Sequence, residues 1–462
     1  MLRRSLAAAG KPIRKRLYTQ TASLSEAEVE SWRQERSITV DDCSLNPVLQ
    51  FEQAGFPADV LLSTEQFVAP SPIQAQCWPV VLSGRDVVGI AATGSGKTLA
   101  FGLPAICHTL AQPGGPDKSP NQPQVLIVAP TRELVQQIAD VMCEAAGHCA
   151  LGCIAVFGGS SRKQQVRLLR NGLVHIVVAT PGRLQDLVAD GSCRLDKVTY
   201  LVLDEADRML DLGFEPAIRA IAGGIRADRQ TLMFSATWPA SIQRLAMDFL
   251  CNAARVTIGS KDLSASHSIA QVVEVMEQGQ RDGRLEALLQ KHGGSKQRIL
   301  VFVLYKKEAA RVEGQLLRKG WKVAAIHGDL SQDKRTAAIN AFRDGSVPLL
   351  VATDVAARGL DIPDVALVLN FSFPLTVEDY CHRIGRTGRA GKTGLAHTFF
   401  CPASDRQRAG ELINVLREAG QPVPEKLLQF GTTVKKKESK LYGAHFKDID
   451  PLQKSSKVTF DF

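Results

Sequence analysis

The chain has 462 residues, enough for two or three domains with cores of their own. A hydrophobic fraction of 45% and a charged fraction of 22% exclude a wholly disordered chain, and no apolar run approaches the roughly 18 residues that would cross a membrane. The formal net charge is +9, concentrated at the ends: residues 1–40 hold eight Lys or Arg against four acids, and residues 431–462 hold seven against four, so a polyanionic partner drawn in by basic ends is expected.

Residues 1–44 read as a basic N-terminal extension. From about residue 85, short β-rich runs alternate with amphipathic stretches. "DVVGI", "VLIVA", "CIAVF", "VHIVVA", "YLVLD" and "QTLMFS" read as strands, with helices over 131–145, 161–170 and 239–250. "QPGGPDKSPNQP" (112–123) reads as a surface loop. The alternation pauses at a small, polar linker, 259–268, and resumes with "QVVEVM", "RILVFV", "KVAAIH", "VPLLVA" and "ALVLNF". The expected fold is α/β: two doubly wound parallel-sheet domains, 45–258 and 269–430, with a ligand cleft between them and a basic tail over 431–462. Ten cysteines without metal-ligand spacing or a secretory signal read as reduced thiols.

"AATGSGKT" follows a strand and opens a helix, the arrangement of a phosphate-binding loop. Ala91, Ala92, Thr93, Gly94, Ser95 and Gly96 would wrap the phosphates, with Ala91 where the general pattern has glycine. Lys97 would reach the β- and γ-phosphates and Thr98 would coordinate Mg²⁺. The run "YLVLDEADRML" delivers three carboxylates at a strand end. Acids there suit a helix N-terminus, or they can hold a metal and orient a water. Beside a phosphate-binding loop the second reading gains weight. Asp204 then shares the Mg²⁺ with Thr98, partly through water, and Glu205 activates the attacking water.

These motifs are joined in order by "PTREL" (130–134), "GG" (158–159), "TPGR" (180–183), "SAT" (235–237), "TDVAARGLD" (353–361) and "HRIGRTGR" (382–389). Together they resemble the DEAD-box family of ATP-dependent RNA helicases over roughly residues 45–430. The resemblance implies two RecA-like domains that close on ATP–Mg²⁺ and RNA, and a monomer that needs no membrane. Phe51 and "FVAPSPIQ" (67–74) resemble the family's adenine-recognising segment. Gln74 can pair with both N6 and N7 of adenine and Phe51 can stack on it. Gln66 departs from the family's glycine, and Ser71 replaces threonine. The resemblance makes Arg386 and Arg389 arginine fingers and sets Asp361 on the ribose. It makes Ser235, Thr237, Asp207 and His382 the coupling between nucleotide and domain closure. RNA contacts fall to Thr131, Arg132, Gly159, Thr180, Gly182 and Arg183 in one domain, and to Thr353 and Arg358 in the other. Short hydroxyl, backbone and Arg contacts suit a sugar–phosphate track read without base specificity.

"LYKKEAARVE" (304–313), "AAIHGDLSQ" (324–332), "FPLTVEDYCHRIGRTGRAG" (373–391), "QPVPEKLLQFGTTVKKKE" (421–438) and the ending "YGAHFKDID…KVTFDF" resemble the fungal nucleolar DEAD-box helicases of pre-ribosomal RNA processing. That implies pre-rRNA as partner, large-subunit maturation as process and the nucleolus as location. The first 25 residues pull toward mitochondria: six basic groups precede the first acid, Glu26. "KPIRKR" (11–16) and "KKKESK" (435–440) equally read as nuclear-import clusters.

Overall fold

The structure, a computed structural model, describes residues 25–92, 94–112, 122–171, 173–259, 269–293, 297–354, 365–388 and 393–431. Thr93, Arg358, Asp361 and Arg389 lie outside the described residues, as do 260–268 of the expected linker and most of both tails.

The first sheet has eight strands: β1 (Ile38–Asp41), β2 (Val87–Ile90), β3 (Val125–Val128), β4 (Cys153–Val156), β5 (Ile176–Ala179), β6 (Tyr200–Leu203), β7 (Gln230–Ser235) and β8 (Ala254–Ile258). Their spatial order is β1-β8-β2-β7-β6-β3-β5-β4, parallel throughout except for β1 against β8. Because strand side chains alternate between faces, the interior strands read as unbroken apolar runs and feed two cores. Val125, Ile127, Tyr200, Val202 and Phe234 pack with Trp78, Phe101, Val135 and Met142 on one face. Leu126, Val128, Leu201, Leu203 and Met233 pack with Leu184, Leu187, Ile218 and Leu245 on the other. Burial on both faces is what a parallel sheet demands.

The second sheet has six parallel strands: β9 (Ile269–Val275), β10 (Arg298–Val303), β11 (Val323–Ile326), β12 (Leu349–Thr353), β13 (Val365–Asn370) and β14 (Gly394–Phe400). They lie in the order β11-β12-β10-β13-β14-β9. Ile299, Val301, Val351 and Leu369 face one layer of helices, and Leu300, Phe302, Leu350 and Val368 face the other.

The expectation that residues 1–44 form an extension is corrected at its C-terminal end. Ser25 caps a helix over Glu26–Glu35, and β1 then adds an antiparallel edge to the first sheet, with Ile38 opposite Ile258. Four residues with one buried side chain carry almost no periodic signal; β1 exists because β8, more than two hundred residues later, offers it an edge. No helix among the described residues is long and apolar enough to cross a membrane.

Candidate nucleotide and RNA site

The phosphate-binding loop leaves β2 at Ala91 and enters the helix Lys97–Leu110. Gly94 and Gly96 adopt φ of 80° and 91°, values that glycine reaches without strain. Close approach adds a second demand at Gly96: a Cβ there would lie 2.6 Å from Gln74 Nε2 and 2.7 Å from Ser71 Oγ. Lys97 is buried, and its ammonium donates to the carbonyls of Ala91 (2.8 Å) and Ala92 (3.0 Å). Burial pulls its pKa down against the opposing pull of Asp204 and Glu205.

β6 ends at Leu203, and the Asp204 amide donates to Val128 O on β3 (2.9 Å) before the chain breaks from the sheet. Burial pushes the Asp204 carboxyl up to about 7, against the pull of Lys97 and with the help of Glu205's charge. Glu205 sits at φ 49°, ψ 53°, the left-handed region that a residue with a Cβ enters at a cost of about 1–2 kcal/mol. Asp207, two residues on, accepts from the amides of Ala236 (3.2 Å) and Thr237 (3.0 Å) and from the Thr237 hydroxyl (2.9 Å). The third acid is thereby tied to the loop after β7, whose last residue, Ser235, is fully buried. His382 of the second domain lies within electrostatic reach of Asp207, its imidazole pulled below the usual range by burial.

Lys97, Thr98, Asp204 and Glu205 line one cavity of 480 Å³ with Gly94, Ser95, Gly96 and Gln74, and Arg386 of the second domain completes its wall. The chemistry of the donors fits a hard cation. A buried carboxylate with a raised pKa stands near a hydroxyl, and no cluster of three or more His, Cys, Asp or Glu able to hold a metal occurs among the described residues. Such a site needs substrate oxygens to complete a magnesium shell. The buried Ser95 hydroxyl has no hydrogen-bond partner among the described residues, leaving polar capacity beside the loop.

One adenine expectation changes, and the other gains a second role. Phe51 is in the core, 6.0 Å from the Trp78 ring, and does not line the cavity. The phenylalanine that does is Phe67, 47% exposed at the rim. Phe51 opens a one-turn helix whose Phe51 and Ala54 point inward, so packing with Trp78 and Phe56 takes its ring. Gln74 lines the cavity, and half of its amide's capacity is used within the protein: Oε1 accepts from Ser71 N (3.0 Å) and Nε2 donates to Gly96 O (3.0 Å). Gln74 therefore props the phosphate loop while keeping one N–H and one oxygen lone pair for a base.

The opposite wall of the cavity was not foreseen. It is the helix Arg132–Gly147, which presents Leu134, Gln137, Ile138, Val141 and Glu144. Its apolar period was legible, but nothing local marks that stripe as cavity lining.

The candidate RNA residues occupy the other half of the same sheet edge. Nucleotide-site residues follow β2, β7 and β6, which are neighbours; Thr131, Arg132, Gly159, Thr180, Gly182 and Arg183 follow β3, β4 and β5, the next three. Thr131 caps its helix by accepting from Leu134 N (3.3 Å). The Arg132 guanidinium lies against Gly159, where φ is 83° and a Cβ would collide with it. Arg183 donates to Gln165 Oε1 (2.9 Å), and Gln165 donates to Phe157 O (3.0 Å), so a glutamine absent from the sequence reading ties two of these loops together. Thr353 ends β12 in the other domain, buried.

Ion pairs among the described residues cross between the domains beside this edge. Glu133, in the turn after Thr131, pairs with Arg335 at 2.6 Å, and Arg208 pairs with Asp379 at 2.7 Å.

Residues 71–245 match the DEAD/DEAH box helicase family and residues 280–391 the helicase conserved C-terminal domain. The chain is 54% identical over 422 residues to the DEAD-box ATP-dependent RNA helicase 5 of Oryza sativa subsp. japonica, covering 91% of this chain and 82% of the relative. It is 50% identical over 447 residues to the ATP-dependent RNA helicase DBP3 of Saccharomyces cerevisiae, covering 95% and 84%. Among solved structures, it superposes on Mss116p bound to ssRNA and AMP-PNP with a TM-score of 0.71 and 28% identity, over 83% of this chain and 82% of that one. For S. cerevisiae Dbp5 bound to RNA and ADP BeF3 the TM-score is 0.69 and the identity 27%, over 83% and 94%.

Proposed function

The chain belongs to the DEAD-box family of ATP-dependent RNA helicases, and from that premise we propose that it is an RNA-stimulated ATPase that opens short RNA duplexes as its two domains close. The family makes it an ATP-hydrolysing enzyme. The observation that carries the rest is that Arg386 of the second domain shares one cavity with Lys97, Asp204 and Glu205 of the first.

Thr98 and Asp204 would hold Mg²⁺, partly through water and together with phosphate oxygens, and the ion would supply charge neutralisation at the transferring phosphoryl group. Lys97 gives up the Ala91 and Ala92 carbonyls for the phosphates. Glu205, fixed by its strained backbone, accepts a proton from the attacking water. Arg386 sets a planar guanidinium against the charge that develops on the γ-phosphoryl oxygens. Arg389 and Asp361, outside the described residues, keep their roles of second finger and ribose contact by resemblance. Asp207, bonded to Thr237 and facing His382, carries the state of the nucleotide to the domain interface. Thr131, Arg132, Gly159, Thr180, Gly182 and Arg183 line the first half of a backbone track and Thr353 the second, with Arg358, outside the described residues, assigned there by resemblance. ATP and RNA each favour the closed form, so each strengthens the other's binding.

Steady-state ATPase of the full chain with and without RNA, alongside unwinding of a short duplex, tests this. Multiple turnover stimulated by RNA and not by DNA is expected; slow turnover that RNA leaves unchanged would make the protein an ATP-gated clamp instead.

The cellular reading is maturation of the large ribosomal subunit in the nucleolus, acting on pre-rRNA. It is supported by the segments at 304–313, 324–332, 373–391 and 421–438, which resemble the nucleolar helicases of that process. The acid-free, Arg-rich first 25 residues favour a second reading, mitochondrial RNA. Imaging the full chain and a form lacking residues 1–25 separates them. Nucleolar signal in both is expected, whereas mitochondrial signal lost on deletion would sink the ribosomal assignment.

A further inference from the structure

The helix Arg162–Asn171 begins just past the Gly158–Gly159 turn and reads RKQQVRLLRN, with four cations and no acid. Its inner side is fixed by Gln165 and Leu169, both buried. At about 100° per residue, Lys163, Arg167 and Arg170 fall within roughly 60° of one another on the opposite side, and all three are exposed. Arg162 is taken by Asp190. Lys163, Arg167 and Arg170 form no ion pair or side-chain hydrogen bond among the described residues. Lys163 and Arg167, one turn apart, repel each other, so the protein alone gains nothing from this arrangement.

A charged helix face is ordinarily just solvated. This one differs in its uniform sign, in having no carboxylate drawn to it, and in its position. It lies beside edge strand β4 and continues from Gly159, where the candidate RNA residues of the first domain stop. Its length along the axis is about 10 Å, a distance over which one strand of a duplex carries about three charges at 3.4 Å spacing. We propose that Lys163, Arg167 and Arg170 form an outer contact for the RNA phosphodiester backbone, holding the strand or duplex arm that projects past the core track. The proposal rests on the reading of Thr131, Arg132, Gly159, Thr180 and Arg183 as that track. The outer contact gives no base readout. It adds affinity for long or flanked substrates and makes that affinity steeply salt-dependent.

The test compares the full-length protein with a Lys163→Gln/Arg167→Gln/Arg170→Gln variant on two RNAs. One is a single-stranded oligouridylate just long enough for the core track; the other carries the same strand extended into a flanking duplex. Affinity is read by fluorescence anisotropy across a salt series with a non-hydrolysable ATP analogue. The variant should match wild type on the short strand and bind the extended RNA at least several-fold more weakly. On the extended RNA its logarithmic salt slope should fall by about 2–3, three contacts at roughly 0.7–0.9 each. A charge-keeping Lys163→Arg/Arg167→Lys/Arg170→Lys variant should behave as wild type. Equal loss on both RNAs, or loss on neither, overturns the proposal. So does a charge-keeping variant that also fails, with a lowered melting temperature, because the role would then be structural. Polyglutamate displacing the extended RNA from wild type but not binding the triple variant would reassign the face to an acidic protein. A wild-type protein that cannot bind the short strand would instead overturn the core track itself, and this extension with it.

Discussion

Arg208 and Asp379 meet at 2.7 Å although they belong to different domains, with side chains only 3% and 9% exposed. The pair follows directly on Asp207 and precedes His382 by three residues, so it is built into the same junction that joins the acid motif to the second domain. Two charges taken out of water gain little net stability when paired, and stranding one costs about 3–5 kcal/mol; Arg208 also pairs with the exposed Asp211 at 3.1 Å, so removing Asp379 should cost less than that. That cost falls on closure and not on the folding of either domain. Asp379→Asn should therefore leave the melting temperature nearly unchanged while reducing the closed population seen by interdomain energy transfer with an ATP analogue and RNA. The RNA concentration giving half-maximal ATPase should rise more than tenfold. A variant that closes like wild type would make the pair incidental.

Binding and hydrolysis should separate at Lys97 and Glu205. Lys97→Ala removes the ammonium held at the phosphate loop and should weaken ATP binding itself. Glu205→Gln keeps the nucleotide and RNA bound but should lower kcat by at least about a hundredfold, the usual contribution of a positioned base being about 10²–10⁴. Glu205→Gly also relieves the left-handed backbone, so it should be as inactive yet more stable by about 1 kcal/mol. Equilibrium nucleotide binding, single-turnover hydrolysis and thermal melting check all three. Wild-type turnover in Glu205→Gln would remove it from the role of base.

Phe51 and Phe67 should part in opposite directions. Phe51→Ala empties a core site against Trp78 and should cost about 3–5 kcal/mol of stability, visible in denaturant unfolding. Phe67→Ala should leave stability alone and raise KM for ATP. If Phe67→Ala left KM unchanged while Phe51→Leu raised it, the aromatic contact would belong to Phe51 after all.

Gln74→Ala should do two things at once. Loss of the bond to Gly96 loosens the phosphate loop and weakens ATP and GTP alike. Loss of the amide also relaxes the preference for ATP, by up to about 1–3 kcal/mol if it reads the base as side chains read nucleobases. Competition between the two nucleotides tells the parts apart: a common loss with unchanged selectivity would assign Gln74 to loop support alone.

What the sequence made legible was local. Strand, glycine loop and helix are contiguous at 87–110, and strand and acids at 200–207, so both motifs could be placed on the right elements. The choice between Phe51 and Phe67 could not be made that way, because each sits in a short irregular segment and only packing decides which ring turns inward. The polar run "STEQ" before Phe67 is the one sequence hint that it lies at a surface. β1, β8 ("ARVTI") and β14 ("GLAHTFF") escaped for a related reason. β1 and β8 are short and partly polar, and each strand is fixed by a neighbour distant in sequence. Arg208 and Asp379, 171 positions apart, carry no mutual signal at all.

The helix Arg132–Gly147 has one more implication, for genetics. Its first turn touches the second domain through Glu133 and Arg335, its leading residues Thr131 and Arg132 stand on the candidate RNA side, and its flank from Leu134 to Glu144 walls the nucleotide cavity. A substitution on almost any exposed side of it perturbs several equilibria together, so its alleles will be pleiotropic and hard to interpret. Cleaner separation-of-function alleles should come from positions that touch a single equilibrium, such as Phe67 at the cavity rim or Asp379 at the interface.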